Sequence, residues 1–334
     1  MGLIFTFIGT IIGAGFASGQ EIRMDFTDFG WYGAIGLILV SFLFMYIGEK
    51  IMLMGYSRKA ESYEEILGYG FRCRFKKVID YCLCFFLVAT ASTMFSGAGA
   101  FFYQAFGLNT IIGSLIMAIV SFLVVILGIR GIMKVSSFIV PLLILFTCII
   151  SVVSFIDIDF STITLINEIK HKNIGFAVVS ALIYGAYNII MALSVLPSIG
   201  SSAKNEKQIR VTSIISGSII GIFGFIIYLA LLGNYDKIQG VEIPIAVLAS
   251  SNYSLLYGIS FIIAVLTTAV GCLYGVYTRF NKNIFIFSII CLGAYFISLF
   301  GFSVLVGKLY YIMGIFGLFL IFMLLRGYSI SRSR

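Results

Sequence analysis

The chain has 334 residues, 60% of them apolar and 11% charged, with a mean hydropathy of +1.10 and a formal net charge of +8. No soluble domain of this length carries that balance, so the chain reads as a polytopic membrane protein whose excess positive charge reflects topology rather than nucleic-acid binding. One histidine, His171, and six cysteines without a Cys-x-x-Cys spacing give no transition-metal or redox constellation.

The first apolar segment begins at Met1 without a basic leader or a small-residue cleavage site, so it reads as a membrane helix and not a signal peptide. Within it lies Gly9-Thr-Ile-Ile-Gly-Ala-Gly-Phe-Ala-Ser-Gly-Gln-Glu21, with Gly13, Gly15 and Gly19 close together. Each interior glycine weakens a helix by roughly 1 kcal/mol. Ser18 to Glu21 then has the Ser-x-x-Glu pattern of a capping box, which starts a helix afresh. An apolar helix broken in mid-span exposes backbone, and a membrane tolerates that only inside protein or along a cavity. The break therefore reads as half of a binding site; a packing kink is the alternative. Free carbonyls around Gly9 to Ile12 suit a cation. Free N–H groups at Ser18 to Glu21 suit an anion such as a carboxylate.

Ten spans follow from the apolar runs, at about 3–28 (broken), 33–56, 76–105, 109–128, 134–155, 174–198, 209–233, 255–279, 284–302 and 304–325. No stretch between them is long enough for a soluble domain, so 1–334 reads as one transmembrane domain. With the N-terminus in the cytoplasm, 17 of the 22 basic residues fall on the cytoplasmic side. That bias predicts an even number of spans and both termini inside.

The third span carries Thr90, Ser92, Thr93, Ser96, Gly97 and Gly99. Most of these suit a small-residue packing face, while Ser92 and Ser96, one turn apart, can face a solute. The sixth span carries Tyr184-Gly185-Ala186-Tyr187-Asn188 and then Pro197. Gly185 and Asn188 interrupt it five spans after the first break. Interruptions at matching places in two five-helix halves point to an inverted repeat, about 1–155 and 174–325, with its site near the bilayer midplane. In the eighth span, Ala264 precedes Thr267 and Thr268; a carbonyl and two hydroxyls fit a monovalent cation, although threonines also bond to their own helix. Phe16, Tyr184 and Tyr187 can wall off a small organic solute. Glu21, Glu49 and Asp80 are acids near span ends, and Glu21 stands out because capping would place it at the break.

Gly9 to Phe16 resembles the first-helix motif of the LeuT-fold transporters of the amino acid–polyamine–cation superfamily, where a G-x-x-x-G-x-G run carries the unwound segment. Gly13 to Glu21 resembles the YkvI-like bacterial membrane proteins within it. The resemblance implies an all-α LeuT fold of ten helices as a 5+5 inverted repeat, with helices 1 and 6 discontinuous. It implies a sodium site from Gly9, Ile12, Ala264, Thr267 and Thr268. It places the solute at Gly13, Ala14, Gly15, Phe16, Ala17 and Ser18 and at Tyr184, Gly185, Tyr187 and Asn188; Ser92 and Ser96 join this set by their own spacing. Phe16 stands where the neurotransmitter-symporter branch often has Asn, and Gly19 stands where that branch has a gating arginine, so neither its second sodium site nor its outer gate carries over. No lysine lies in the middle of helix 5, where proton-coupled relatives have one.

The expectation is a sodium-coupled symporter of a small organic solute, an amino acid or related amine, in the bacterial inner membrane and working by alternating access. Its partners would be that solute and the lipid bilayer, with no nucleic acid. A non-transporting ligand receptor on the same fold, or a proton-coupled or uncoupled transporter, is the rival reading. A membrane enzyme is disfavoured, since no acid–base pair or metal ligand set is visible.

Overall fold

A computed structural model of the chain describes residues 2–60, 63–69, 73–127, 130–156, 173–193, 195–249 and 251–332. The basic residues Arg72, Lys170, Lys172 and Arg334, and also His171, lie outside the described residues.

Every regular element among the described residues is helical. Span 1 is in three pieces, Gly2–Ile11, Ala14–Ala17 and Gln20–Asp25. Spans 2 to 5 are Tyr32–Arg58, Cys73–Phe106, Thr110–Leu127 and Arg130–Ile156. Span 6 is Ile174–Ala192 followed by Leu196–Ser201. Spans 7 to 9 are Glu206–Gly233, Ser251–Arg279 and Ile284–Ser298. Span 10 runs through Phe302–Leu305, a π-helical turn Val306–Tyr310 and Tyr311–Arg332. Seven of the spans carry helices long and apolar enough to cross a membrane by themselves, and spans 1, 5 and 9 supply shorter apolar helices. The ten spans read from the apolar runs are therefore all present.

Two groups of helices build the molecule. Span 2 packs along span 7 and along both pieces of span 6, and the first piece of span 1 lies against spans 6 and 7. Span 3 packs along spans 4, 8 and 9, and span 4 also meets spans 8 and 9. Spans 1 and 2 open the first half as spans 6 and 7 open the second, so the first group pairs equivalent members of an inverted repeat. Span 5 bridges spans 7 and 8, and span 10 lies along span 6. Large apolar side chains such as Phe42, Leu127, Ile222 and Phe285 face outward, as lipid contact requires.

Small residues set the closest crossing. A methyl added at Gly55 would lie 2.2 Å from the Pro197 carbonyl oxygen, and one at Gly200 would lie 1.9 Å from that of Met52. Spans 2 and 6 thus touch backbone to backbone, which only glycine permits. Nearby, the Ser41 hydroxyl donates to the Gly217 carbonyl at 2.9 Å, and the Ser213 hydroxyl donates to the Met45 carbonyl.

The expected interruption of span 6 at Gly185–Asn188 is corrected. The helix runs unbroken from Ile174 to Ala192. Asn188 donates to the Tyr184 carbonyl at 3.1 Å inside its own helix, and Gly185 makes room for the Leu43 side chain of span 2. Span 6 stops after Ala192 and restarts at Leu196, with Pro197 in the first turn. Pro197 has no N–H, and its ring clashes with the carbonyl four residues earlier in a helix, so proline rather than glycine sets this break.

Candidate functional site

The break in span 1 opens where the first helix ends at Ile11 and Gly13 adopts an extended conformation, φ −96° and ψ −172°. A single turn follows, closed by the Ala17 N–H on the Gly13 carbonyl (3.1 Å) and the Ser18 N–H on that of Ala14 (2.9 Å). The Ser18 hydroxyl donates to the Gly15 carbonyl at 2.6 Å and accepts from the Gln20 N–H at 3.1 Å. Gly19 then takes a left-handed conformation, φ +79°, before the helix resumes at Gln20.

The capping box expected from Ser18 and Glu21 is also corrected. The Ser18 N–H that Glu21 would accept from is already bonded to Ala14, so the Glu21 side chain is free to turn elsewhere. It folds back over Gly15: a methyl added there would lie 1.9 Å from Glu21 Oε1 and 2.9 Å from its Cδ. Gly15 is thus required by the carboxylate lying on its Cα. Glu21 is 4% exposed.

One side of the break is closed. The Ile245 N–H, on the short helix Pro244–Leu248 of the loop after span 7, donates to the Ser18 carbonyl at 3.1 Å. Ile245 also packs over Gly19, where an added methyl would lie 2.9 Å from its Cγ1. The Tyr257 hydroxyl of span 8 donates to the Ala17 carbonyl at 3.1 Å, and the Gln20 amide lies 2.8 Å from the Ser303 hydroxyl of span 10. Arg23 donates to the Ile238 carbonyl at 3.2 Å. Glu242 in the same loop has its carboxyl pushed above the usual carboxylate range by burial, opposed by the Phe302 and Ser303 N–H groups and by the charge of Arg23.

On the other side a cavity of about 750 Å³ reaches the break. Its inner end is Gly13, Ala14, Gly15 and Glu21, with Asn188 of span 6 and Tyr310 of span 10 beside them. Its walls are mostly apolar, among them Leu83, Phe86 and Met94 of span 3, Met191 of span 6 and Met313 of span 10. At its far end Arg279 of span 8 forms an ion pair with Asp80 of span 3; Arg279 Nε donates to Asp80 Oδ2 at 2.7 Å, and the Tyr63 hydroxyl donates to Oδ1 at 3.1 Å. This end carries the residues that the charge bias assigns to the cytoplasmic side.

Of the expected solute positions, Gly13, Ala14, Gly15 and Asn188 line the cavity. Phe16, Ala17 and Ser18 are buried behind the break, and Phe16 stacks with Phe223 of span 7 at 6.2 Å. Ser92 donates to the Val88 carbonyl of its own helix at 2.8 Å, and Ser96 is buried; neither lines the cavity. Gly185 faces span 2. Tyr184 and Tyr187 are each 1% exposed, with hydroxyls lacking a hydrogen-bond partner. Of the expected cation ligands, Gly9 and Thr268 line the cavity from spans 1 and 8. The Thr267 hydroxyl donates to the Ala264 carbonyl at 2.9 Å, and Ile12 is buried.

Two of the cavity residues outside the expected set lie at the break itself, Tyr310 and Glu21. Tyr310 is turned inward by the π-helical turn, whose ring packs 4.9 Å from that of Tyr187; no sequence pattern announces such a turn. Glu21 was visible as an acid at the break, but its role was masked by the capping pattern.

No protein-family profile matches the chain. It is 32% identical over 320 residues to the uncharacterized membrane protein YkvI of Bacillus subtilis strain 168, spanning 93% of this chain and 91% of that one. It is 26% identical over 327 residues to the protein YyaD of the same organism, spanning 95% and 94%. Among solved structures it is similar to crystal structures of the Eremococcus coleocola manganese transporter, with a TM-score of 0.60 and 13% identity over 89% of this chain and 69% of that one. One of these holds an aromatic bis-isothiourea substituted compound. The similarity establishes the all-α, ten-helix LeuT-like fold.

Proposed function

We propose that this chain, which belongs to the family of the membrane protein YkvI, is a secondary transporter that moves a small organic solute by alternating access. The observation that carries the reading is the cavity of about 750 Å³, open past Asp80 and Arg279 and ending blind at the broken backbone of span 1. A solute there touches Gly13 and Gly15 on one helical group and spans 3 and 8 on the other, so it binds where the two groups must move apart. With the loop at Ile245 closing the opposite side, the proposed state is inward-open, and the charge bias supports placing both termini in the cytoplasm. The fold's membership of the amino acid–polyamine–cation superfamily is part of the same proposal.

An organic solute suits the walls better than a bare divalent ion. Their exposed surface is mostly apolar, with Leu83, Phe86, Leu87, Met94, Met191 and Met313 among it, and among the described residues no three His, Cys, Asp or Glu side chains group together. An amino acid or related amine is the proposed class. Sodium is the proposed coupling ion, held by the carbonyls of Gly9, Ile12 and Ala264 and the hydroxyls of Thr267 and Thr268. It favours the state in which spans 1 and 8 are drawn together, and linkage then makes solute and sodium affinities depend on each other.

The test is uptake of labelled amino acids and amines into proteoliposomes, with an inward sodium gradient and without it. Accumulation above the outside concentration that requires the gradient is the expected result. Solute binding without any accumulation would replace the transporter by a receptor on the same fold.

A further inference from the structure

The geometry points to Glu21 as the binding site for a positively charged nitrogen on the solute, an inference that rests on the transporter reading and narrows its substrate class to organic ammonium compounds. Glu21 is a buried carboxylate, 4% exposed, that lines the end of the cavity at the break in span 1. An ionisable side chain buried within a membrane bundle is costly and is normally matched by a partner. Among the described residues no cation pairs with it. Among the described residues the ion pair is Arg279 with Asp80, at the opposite end of the cavity. Arg23, on the same helix, points outward to the Ile238 carbonyl and Glu242. The charged neighbour of Glu21 is Asp25, of like sign, which accepts from the Ser180 hydroxyl at 2.9 Å.

A second observation calls for a ligand at the same place. The Tyr187 hydroxyl comes up to the Glu21 and Asp25 carboxylates without completing a well-formed hydrogen bond to either, although Tyr187 is 1% exposed. A neutral hydroxyl brings no charge, so a carboxylate that faces the cavity with only that hydroxyl and a second acid beside it asks for a donor with positive charge.

The surroundings favour an organic cation. The Tyr187 and Tyr310 rings pack 4.9 Å apart, and Tyr310 lines the cavity with Glu21. Aromatic walls beside a carboxylate stabilise an ammonium through ring faces and charge together. Among the described residues no three His, Cys, Asp or Glu side chains group together to hold a metal ion, and Glu21 has a single acidic neighbour, Asp25. The carboxylate also lies on Gly15, at the break itself. A solute acid group brought to that point would meet like charge, so the protein's own carboxylate takes the place an amino acid's acid group would occupy.

The experiment compares wild type, Glu21→Gln and Glu21→Asp, purified in detergent, by thermal melting. The probes are straight-chain alkylammonium ions from ethyl to hexyl, each paired with the alcohol of the same length. In wild type at least one amine is expected to raise the melting temperature while its alcohol does not. Glu21→Gln should weaken that amine roughly 10- to 100-fold, the loss of one charge-assisted hydrogen bond. Glu21→Asp keeps the charge and should retain part of the preference, which guards against a glutamine variant that fails to fold. No amine preferred over its alcohol in wild type, or an undiminished preference in Glu21→Gln, overturns the proposal. A Glu21-dependent shift produced by sodium alone, without amine, also overturns it, since the carboxylate would then hold a coupling cation. Accumulation of a neutral solute by both wild type and Glu21→Gln proteoliposomes would sink this inference and leave the transporter standing. An amine that binds through Glu21 but is never accumulated would do the reverse.

Discussion

A methyl group separates the roles of Gly13 and Gly15. Gly13 has φ −96° and ψ −172°, which any L-residue adopts, and its added methyl would meet nothing within 4 Å. Gly13→Ala therefore acts mainly by restricting the unfolded chain, a gain of about 0.4–1 kcal/mol. Gly15 differs because its methyl would lie 1.9 Å from Glu21 Oε1. Ordinary contact requires the carboxylate to move by roughly 1.5 Å. The carboxylate ends a flexible side chain, but it is buried, 4% exposed, so the packing around it must give as it moves. The net cost is about 1–3 kcal/mol, or a few degrees of melting temperature. A thiol-reactive dye reads this melting directly, since Cys291 is buried and Cys82, Cys84, Cys148 and Cys272 are partly so. Gly15→Ala should melt below wild type and Gly13→Ala at or above it. In a Glu21→Ala background the cost at Gly15 should vanish, because the atom it strikes is gone. Equal melting of the two single variants, or a Gly15 cost that persists without Glu21, would refute the placement of the carboxylate on Gly15.

Gly200→Ala strikes the Met52 backbone instead of a side chain; backbone cannot turn aside, so a loss of about 3 kcal/mol or more is expected, read as aggregated protein on size-exclusion chromatography. Glu242 gives the closure at Ile245 a pH dependence. Burial raises its carboxyl above the usual range in the folded state, so its contribution is fully present below the unfolded-state value and is lost as pH rises through the raised one. The melting temperature should fall across that interval in wild type and stay flatter in Glu242→Gln. Thr268→Val keeps shape and removes a cavity-facing hydroxyl; the sodium-dependent rise in melting temperature should disappear while the sodium-free value changes little, and a full sodium response in the variant would rule out the threonine as a ligand.

The fold was legible because its signals are long and redundant. Each span repeats the same apolar composition for about twenty residues, and the basic residues cluster between alternate spans. The break at Gly13 was legible because three glycines in seven residues leave a helix little to hold it. The second break was misplaced because Gly185 and Asn188 look like breakers only until their surroundings are known. Gly185 is glycine for the sake of Leu43 on another helix, and Asn188 satisfies its amide within its own turn. Pro197 carried the true signal, four residues past Leu193, because its effect on a backbone is local and does not depend on neighbours. Glu21 was misread for the opposite reason. Ser-x-x-Glu is a local pattern, and the competing partner for the Ser18 N–H, the Ala14 carbonyl, appears only once the short turn between the two breaks in the backbone has formed.

That short turn also explains how a cavity and a cation site can exclude each other in the proposed cycle. Gly9 and Thr268 both line the cavity, so the open space itself separates the first piece of span 1 from span 8. The first piece packs instead on spans 6 and 7, and the Ser216 hydroxyl of span 7 donates to the Ile4 carbonyl at 3.3 Å. Meanwhile the Thr267 hydroxyl is directed to the Ala264 carbonyl, pairing two of the proposed ligands with each other. Gathering the Gly9 and Ile12 carbonyls with those of span 8 requires the first piece to pivot about Gly13, whose extended backbone and open surroundings leave it room to turn. The pivot closes the cavity on the basic side by the same displacement that assembles the oxygens. The short turn is held at Ala17 and Ser18 by Tyr257 and Ile245, and the piece beyond Gly19 at Gln20 by Ser303, so closing the cavity side does not by itself open the opposite one. Release of that closure is a separate step, and Glu242 and Arg23 are the charged groups placed to govern it.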